Sequence, residues 1–125
     1  MLTLPIKKKW FDMILSGEKK EEYRDIKDYY TIRFFNALGV MYFKDNEKQW
    51  THYKSSVFRT YLQFTNVYRN NFFFVMFRNG YSTASPSFIA QVSLDIGEGK
   101  KEWGAEAGKK YYRLHIHKIL TTEEI

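Results

Sequence analysis

The chain contains no cysteine. That excludes a disulfide scaffold, a thiolate zinc centre and a cysteine nucleophile, and it fits a reducing compartment. Proline occurs only at Pro5 and Pro86, and no stretch rich in proline, glycine or serine marks a linker. No apolar run reaches the length needed to cross a bilayer, and mean hydropathy is −0.52. Residues 1–6 are mostly apolar and are followed by Lys7, Lys8 and Lys9, the reverse of the order in a secretory signal. The expectation is a soluble, unsecreted, cytoplasmic protein with no membrane partner. With 125 residues and no internal repeat, one domain spanning 1–125 is expected.

Aromatic side chains are abundant: Phe 11, Tyr 10 and Trp 3, within a hydrophobic fraction of 44%. Such a load supports a packed core rather than wholesale disorder. Lys plus Arg is 20 against 14 for Asp plus Glu, a net charge of +6. A small positive chain is biased toward polyanions, although charge alone fits a basic protein without any nucleic-acid role. The distribution says more. Residues 38–96 hold 6 basic and only 3 acidic side chains, together with 14 of the aromatic rings. Basic and aromatic residues interleaved in this way suit single-stranded nucleic acid, whose bases stack and whose phosphates pair with cations.

Along the chain, residues 2–6 read as a strand and residues 7–16 as a helix, with Trp10, Phe11, Ile14 and Leu15 at spacings of three and four and Gly17 as its stop. Residues 19–25 read as a strand with Lys20, Glu22 and Arg24 on one face and Glu21 and Tyr23 on the other. Asp28 is placed to cap a helix over 29–38. Trp50, Tyr53, Val57, Tyr61 and Phe64 predict a helix over about 46–64. The apolar run 72–77 reads as a strand covered on both faces. Residues 87–95 alternate, with Phe88, Ala90, Val92 and Leu94 inward; 97–99 is a loop. Residues 111–120 form a last strand with Tyr112, Leu114 and Ile116 inward. The expected class is α+β, a small, partly closed β-barrel with flanking helices.

The residues that point to chemistry are Gly17-Glu18-Lys19-Lys20-Glu21-Glu22-Tyr23-Arg24, at a helix-to-strand junction. Gly17 lets the chain leave the helix with positive φ. Lys19 is a charge near a cleft mouth, able to hold a phosphate or, if desolvated, to act as a base. Glu22 and Arg24 lie two apart and can enter one cleft. Arg24 offers a planar fork to a phosphate, carboxylate or base edge, and Glu22 can take a proton or pair with Lys19. The alternative is a structural ion network that closes the barrel mouth. Further candidates are Arg78, Asn79 and Tyr81, either readers of a base edge or a turn, and Glu102 and Trp103, the latter a stacking platform or a packed lid. His115 and His117 alternate on one strand, but with no third ligand in view they are expected to face solvent, and no metal or cofactor is expected.

The octapeptide fits the pattern G-x-K-x-x-E-x-R and resembles the ASCH domain family, with Gly17, Lys19, Glu22 and Arg24 in the fixed places. A chance match in a chain this long has odds of roughly one in a thousand. The opening strand and helix, and the stretches 77–81 and 102–108, resemble bacterial and phage-type members. Residues 39–71 have no counterpart and look like an insertion. The resemblance implies a PUA-like fold with a cleft beside the first helix, and binding of RNA or an RNA-derived nucleotide. It also implies an alternative. Some short members are amidohydrolases on acetylated cytidine nucleosides, and others are reported as ribonucleases. In such an enzyme Lys19, Glu22 and a later acid such as Glu102 or Glu106 would be catalytic; the amidohydrolases carry threonine where this chain has Glu22. A third class is a protein-interaction module built on residues 39–71.

Overall fold

Residues 8–15 contain neither glycine nor proline, and they coil into a helix that buries Phe11 and Ile14 on its inward side while Leu15, expected on the same face, is exposed. The computed structural model describes residues 1–38 and 72–121; the predicted helix over 46–64 and the expected insertion lie outside them. The elements are β1 (Leu2–Pro5), α1 (Lys8–Leu15), β2 (Glu21–Arg24), α2 (Asp28–Ala37), β3 (Phe72–Arg78), β4 (Ser87–Glu98) and β5 (Lys110–Ile119). Among the described residues no helix is long and apolar enough to cross a membrane.

The strands form one sheet in the order β1-β3-β4-β5-β2. The β1–β3 pair is parallel and the others antiparallel. β1 and β2, consecutive along the chain, are therefore the two edges. In a flat sheet they would stand about 19 Å apart, four spacings of about 4.8 Å. Yet the Arg24 guanidinium of β2 donates through Nη2 to the Pro5 carbonyl of β1 at 3.0 Å. The sheet must curl into a half-barrel whose edges meet at one end.

The concave face carries the core. Phe73, Val75 and Phe77 of β3 alternate inward beside Ala90, Val92 and Leu94 of β4 and Tyr112 and Leu114 of β5. From α1, Phe11 meets Phe88 at 5.0 Å; from α2, Phe34 meets Tyr112 at 5.2 Å. Each such ring, fully buried, contributes about 1.5–3 kcal/mol. Thr31 and Tyr112 carry the buried hydroxyls among these rings, and they satisfy each other at 2.5 Å.

Several expectations are corrected. Among the described residues β3 is covered on one face only: Phe72 and Phe74 are half-exposed on the convex side. β4 runs through Gly97 to Glu98, where a loop was expected, because a glycine in an extended strand leaves room for a neighbour. A Cβ at Gly97 would stand 2.5 Å from the Arg113 guanidinium carbon. Asp28 does not cap α2. It is the first helical residue, Lys27 is the N-cap, and no side chain caps the end; the carboxylate still sits in the first turn, where the helix dipole favours it.

Candidate functional site

The octapeptide takes its shape from the end of α1. Gly17 has φ of +83°, a left-handed conformation that only glycine adopts without strain. The chain then doubles back, and the Lys19 amide donates to the Met13 carbonyl at 2.9 Å. Because β2 begins only at Glu21, Lys19 escapes the strand alternation that would have set it opposite Glu22. Glu22 and Arg24 stand across from Leu114 and Tyr112, on the core-facing side. The motif thus sends three charges toward the concave interior at the end where the edges meet.

There they form a chain of ion pairs. Lys19 Nζ lies 2.9 Å from Glu22 Oε1, and Arg24 Nη2 lies 2.8 Å from Glu22 Oε2. Lys19 also donates to the Trp103 carbonyl at 2.7 Å and stands 4.2 Å from the centre of the Trp10 ring. Its ammonium protons are thereby taken up by a carboxylate, a carbonyl and a π face. Arg24 reaches Tyr30 Oη at 3.4 Å in addition to Pro5. Lys19 is only 1% exposed, and burial pulls its pKa below the ordinary lysine value although Glu22 pushes it up. For Arg24 burial also opposes the charge, but Glu22 and Tyr30 outweigh it and hold the pKa above the usual value.

This triad floors a cleft of about 570 Å³. Trp10, Tyr30 and Trp103 contribute walls; Lys7, Lys27, Asn79 and Tyr81 contribute to the rim. The wall after β4 is a 3-10 turn, Lys101–Trp103, closed by Gly104 with φ of +99°. A Cβ on Gly104 would come within 2.9 Å of the Trp10 ring, so the turn seats directly against α1. The start of this turn is held by β2, since the Lys100 amide donates to Tyr23 Oη at 2.9 Å. Burial raises the Tyr23 hydroxyl to about 12.

A second cluster lies on the convex face. Asp95 receives Arg113 through two nitrogens, at 2.8 and 2.5 Å, and contacts His115 Nε2 at 2.8 Å. Ser93 Oγ and His117 Nε2 are 2.7 Å apart. Burial works against the Asp95 charge, but the bonds from His115 and Arg113 hold its carboxyl below the usual range. Partial burial and the neighbouring His115 lower the His117 imidazole.

Of the sequence-predicted residues, Lys19, Glu22, Arg24, Asn79, Tyr81 and Trp103 line the cleft. Lys19 is inside it rather than at its mouth. Arg78 does not join them: strand alternation sends it to the convex side with Met76, whose Sδ it approaches at 3.6 Å. Glu102 and Glu106 are exposed and outside the lining. The histidines lie on the convex face, His117 exposed as expected and His115 half-buried, and each has a side-chain partner, Ser93 for His117 and Asp95 for His115. Trp10, Tyr23 and Tyr30 of the cleft are missing from the sequence-based set. Trp10 falls at helical spacing with Phe11 and Ile14 and so reads as core, while Tyr23 and Tyr30 carried no signal beyond lying near the motif. Comparison with protein-family models, curated proteins and solved structures returns no match.

Proposed function

We propose that the chain is a PUA-like domain of the ASCH type that binds RNA, or a nucleotide derived from it, in this cleft. The observation that carries the reading is the composition of the cleft: a floor of buried Lys19 and Glu22 with the partly buried Arg24, under Trp10 and Tyr30, with an amide, Asn79, at the rim. Planar bases stack on such rings, and an arginine fork reads base carbonyls or phosphate. The four motif residues also act as one unit, Gly17 turning the chain and the other three meeting in one ion network.

The hydrolase alternative draws less support. No serine, threonine or histidine lines the cleft among the described residues. Both oxygens of Glu22 are engaged by cations, and the candidate later acids point elsewhere. The interaction-module alternative rests on residues outside those described.

Binding of a short single-stranded RNA, followed by fluorescence anisotropy, tests the reading. Arg24→Lys keeps the charge but cannot span Pro5, Glu22 and Tyr30, and it should weaken binding by about 1.5–3 kcal/mol, the size of a hydrogen bond to a charged group. Full affinity in a folded variant, or no binding by the unaltered protein to RNA or nucleotides, overturns it. Deacetylation of acetylated cytidine that Lys19→Ala abolishes would put the hydrolase in its place.

A further inference from the structure

Four cationic side chains line the cleft, Lys7, Lys19, Arg24 and Lys27, against the carboxylates of Glu22 and Asp25. The two inner cations share Glu22. Asp25 is bound at 2.9 Å by Lys109, which is not part of the lining. Lys8, next to Lys7, takes Asp12 at 2.6 Å. Asp28, next to Lys27, is exposed and outside the lining. Lys7 and Lys27 are thus left without a carboxylate partner among the described residues.

Their convergence follows from the curl of the sheet. Lys7 comes just after β1 and Lys27 just after β2, and the Arg24–Pro5 bond draws those two strand ends together. Tyr30 links mouth to floor: Lys27 Nζ is 5.5 Å and the Arg24 guanidinium carbon 5.7 Å from the centre of its ring. A planar group lying beside Arg24 and Tyr30 therefore carries its substituents out toward Lys27. Two ammonium groups suit a compact, multiply charged anion, since a lysine acts as a point charge without a fork's directional demand.

We propose that Lys7 and Lys27 form a phosphate subsite at the cleft mouth, so that the protein takes a phosphorylated nucleotide and discriminates against the bare nucleoside. The proposal rests on the nucleotide-binding reading above and assigns the part of the ligand that each end of the cleft meets.

The test is calorimetric titration of the full chain with each ribonucleoside, its 5′-monophosphate and a short single-stranded RNA, repeated on Lys7→Gln/Lys27→Gln. The monophosphate should bind about tenfold more tightly than its nucleoside, the yield of two solvent-exposed ion pairs. The double variant should lose that preference and keep the nucleoside affinity. A gain from monophosphate to RNA would assign the phosphate to a strand, and equal affinities to a free nucleotide; the subsite stands in both cases. Equal affinity for nucleoside and monophosphate overturns the subsite while base binding survives. A phosphate preference or RNA affinity unchanged in the double variant also overturns it. No binding of any probe overturns the subsite and the nucleotide reading together.

Discussion

Lys19 shows how burial changes what a residue can do. An ammonium held by Glu22, the Trp103 carbonyl and the Trp10 ring has nothing left for a ligand, so it positions the floor and the neighbouring turn. Lys19→Ala leaves Glu22 buried with one cation fewer, and removing one partner of a buried pair costs about 3–5 kcal/mol. Urea denaturation should record that loss. Lys19→Met, which keeps much of the packing, should still lose most of it. Asp95 supplies a pH signature instead. Its carboxyl is held below the usual range in the folded state, so the stabilisation is present above about pH 3.9, the unfolded value, and is lost as pH falls through the folded value. The stability gap between the unaltered protein and Asp95→Asn should be constant near neutrality and shrink in acid; a gap unchanged down to full protonation would contradict that assignment. At this scale Glu22 and Arg24 were legible in the sequence, because charges two apart on a short strand share a side. The acceptors on Pro5 and Trp103 were not, because they are backbone carbonyls, and every residue has one.

At the scale of elements, the cleft depends on the 3-10 turn being pressed against α1 and β2. Gly104→Ala introduces a Cβ at 2.9 Å from the Trp10 ring and forces an alanine to φ of +99°. Strain of this kind costs about 1–3 kcal/mol, and relief by moving Trp10 would uncover Lys19. Both thermal stability and RNA affinity should fall, and intrinsic tryptophan fluorescence should shift. Gly17→Ala, with open space around the added carbon, should show the backbone penalty with little change at Trp10. The two α-helices and five strands described coincide with segments read from the sequence, by periodicity, an apolar run or a capping residue, with ends shifted by up to three residues. Periodicity did not predict that β2 starts late enough to free Lys19 from its alternation, or that, among the described residues, only one face of β3 is covered. Those depend on what packs above each strand, which a local pattern does not contain.

At the scale of the whole molecule, the order of the strands was the least legible feature. The chain places consecutive β1 and β2 at opposite edges, and such pairing is decided by contacts between residues far apart in sequence. The partly closed barrel was expected from strand count and alternation; what closes it is the reach of Arg24. The net charge of +6 matters here through its arrangement, since most of the described carboxylates near the cleft are already matched while Lys7 and Lys27 are not.

The half-barrel also has a far end. β3 carries the chain over seven residues from Phe72 to Arg78, about 20 Å, so its start is remote from the Asn79 rim. Ala37, near the exit from α2, and Phe72 line one common cavity there. The last described residues before the intervening segment and the first after it are thus neighbours. Closure entropy changes only by about 0.6 kcal/mol for each doubling of a loop. Replacing residues 40–70 by a short glycine–serine linker should therefore leave a cooperatively folding protein with its nucleotide affinity unchanged. A variant that fails to fold would mean that those residues are part of the core rather than a passenger on it.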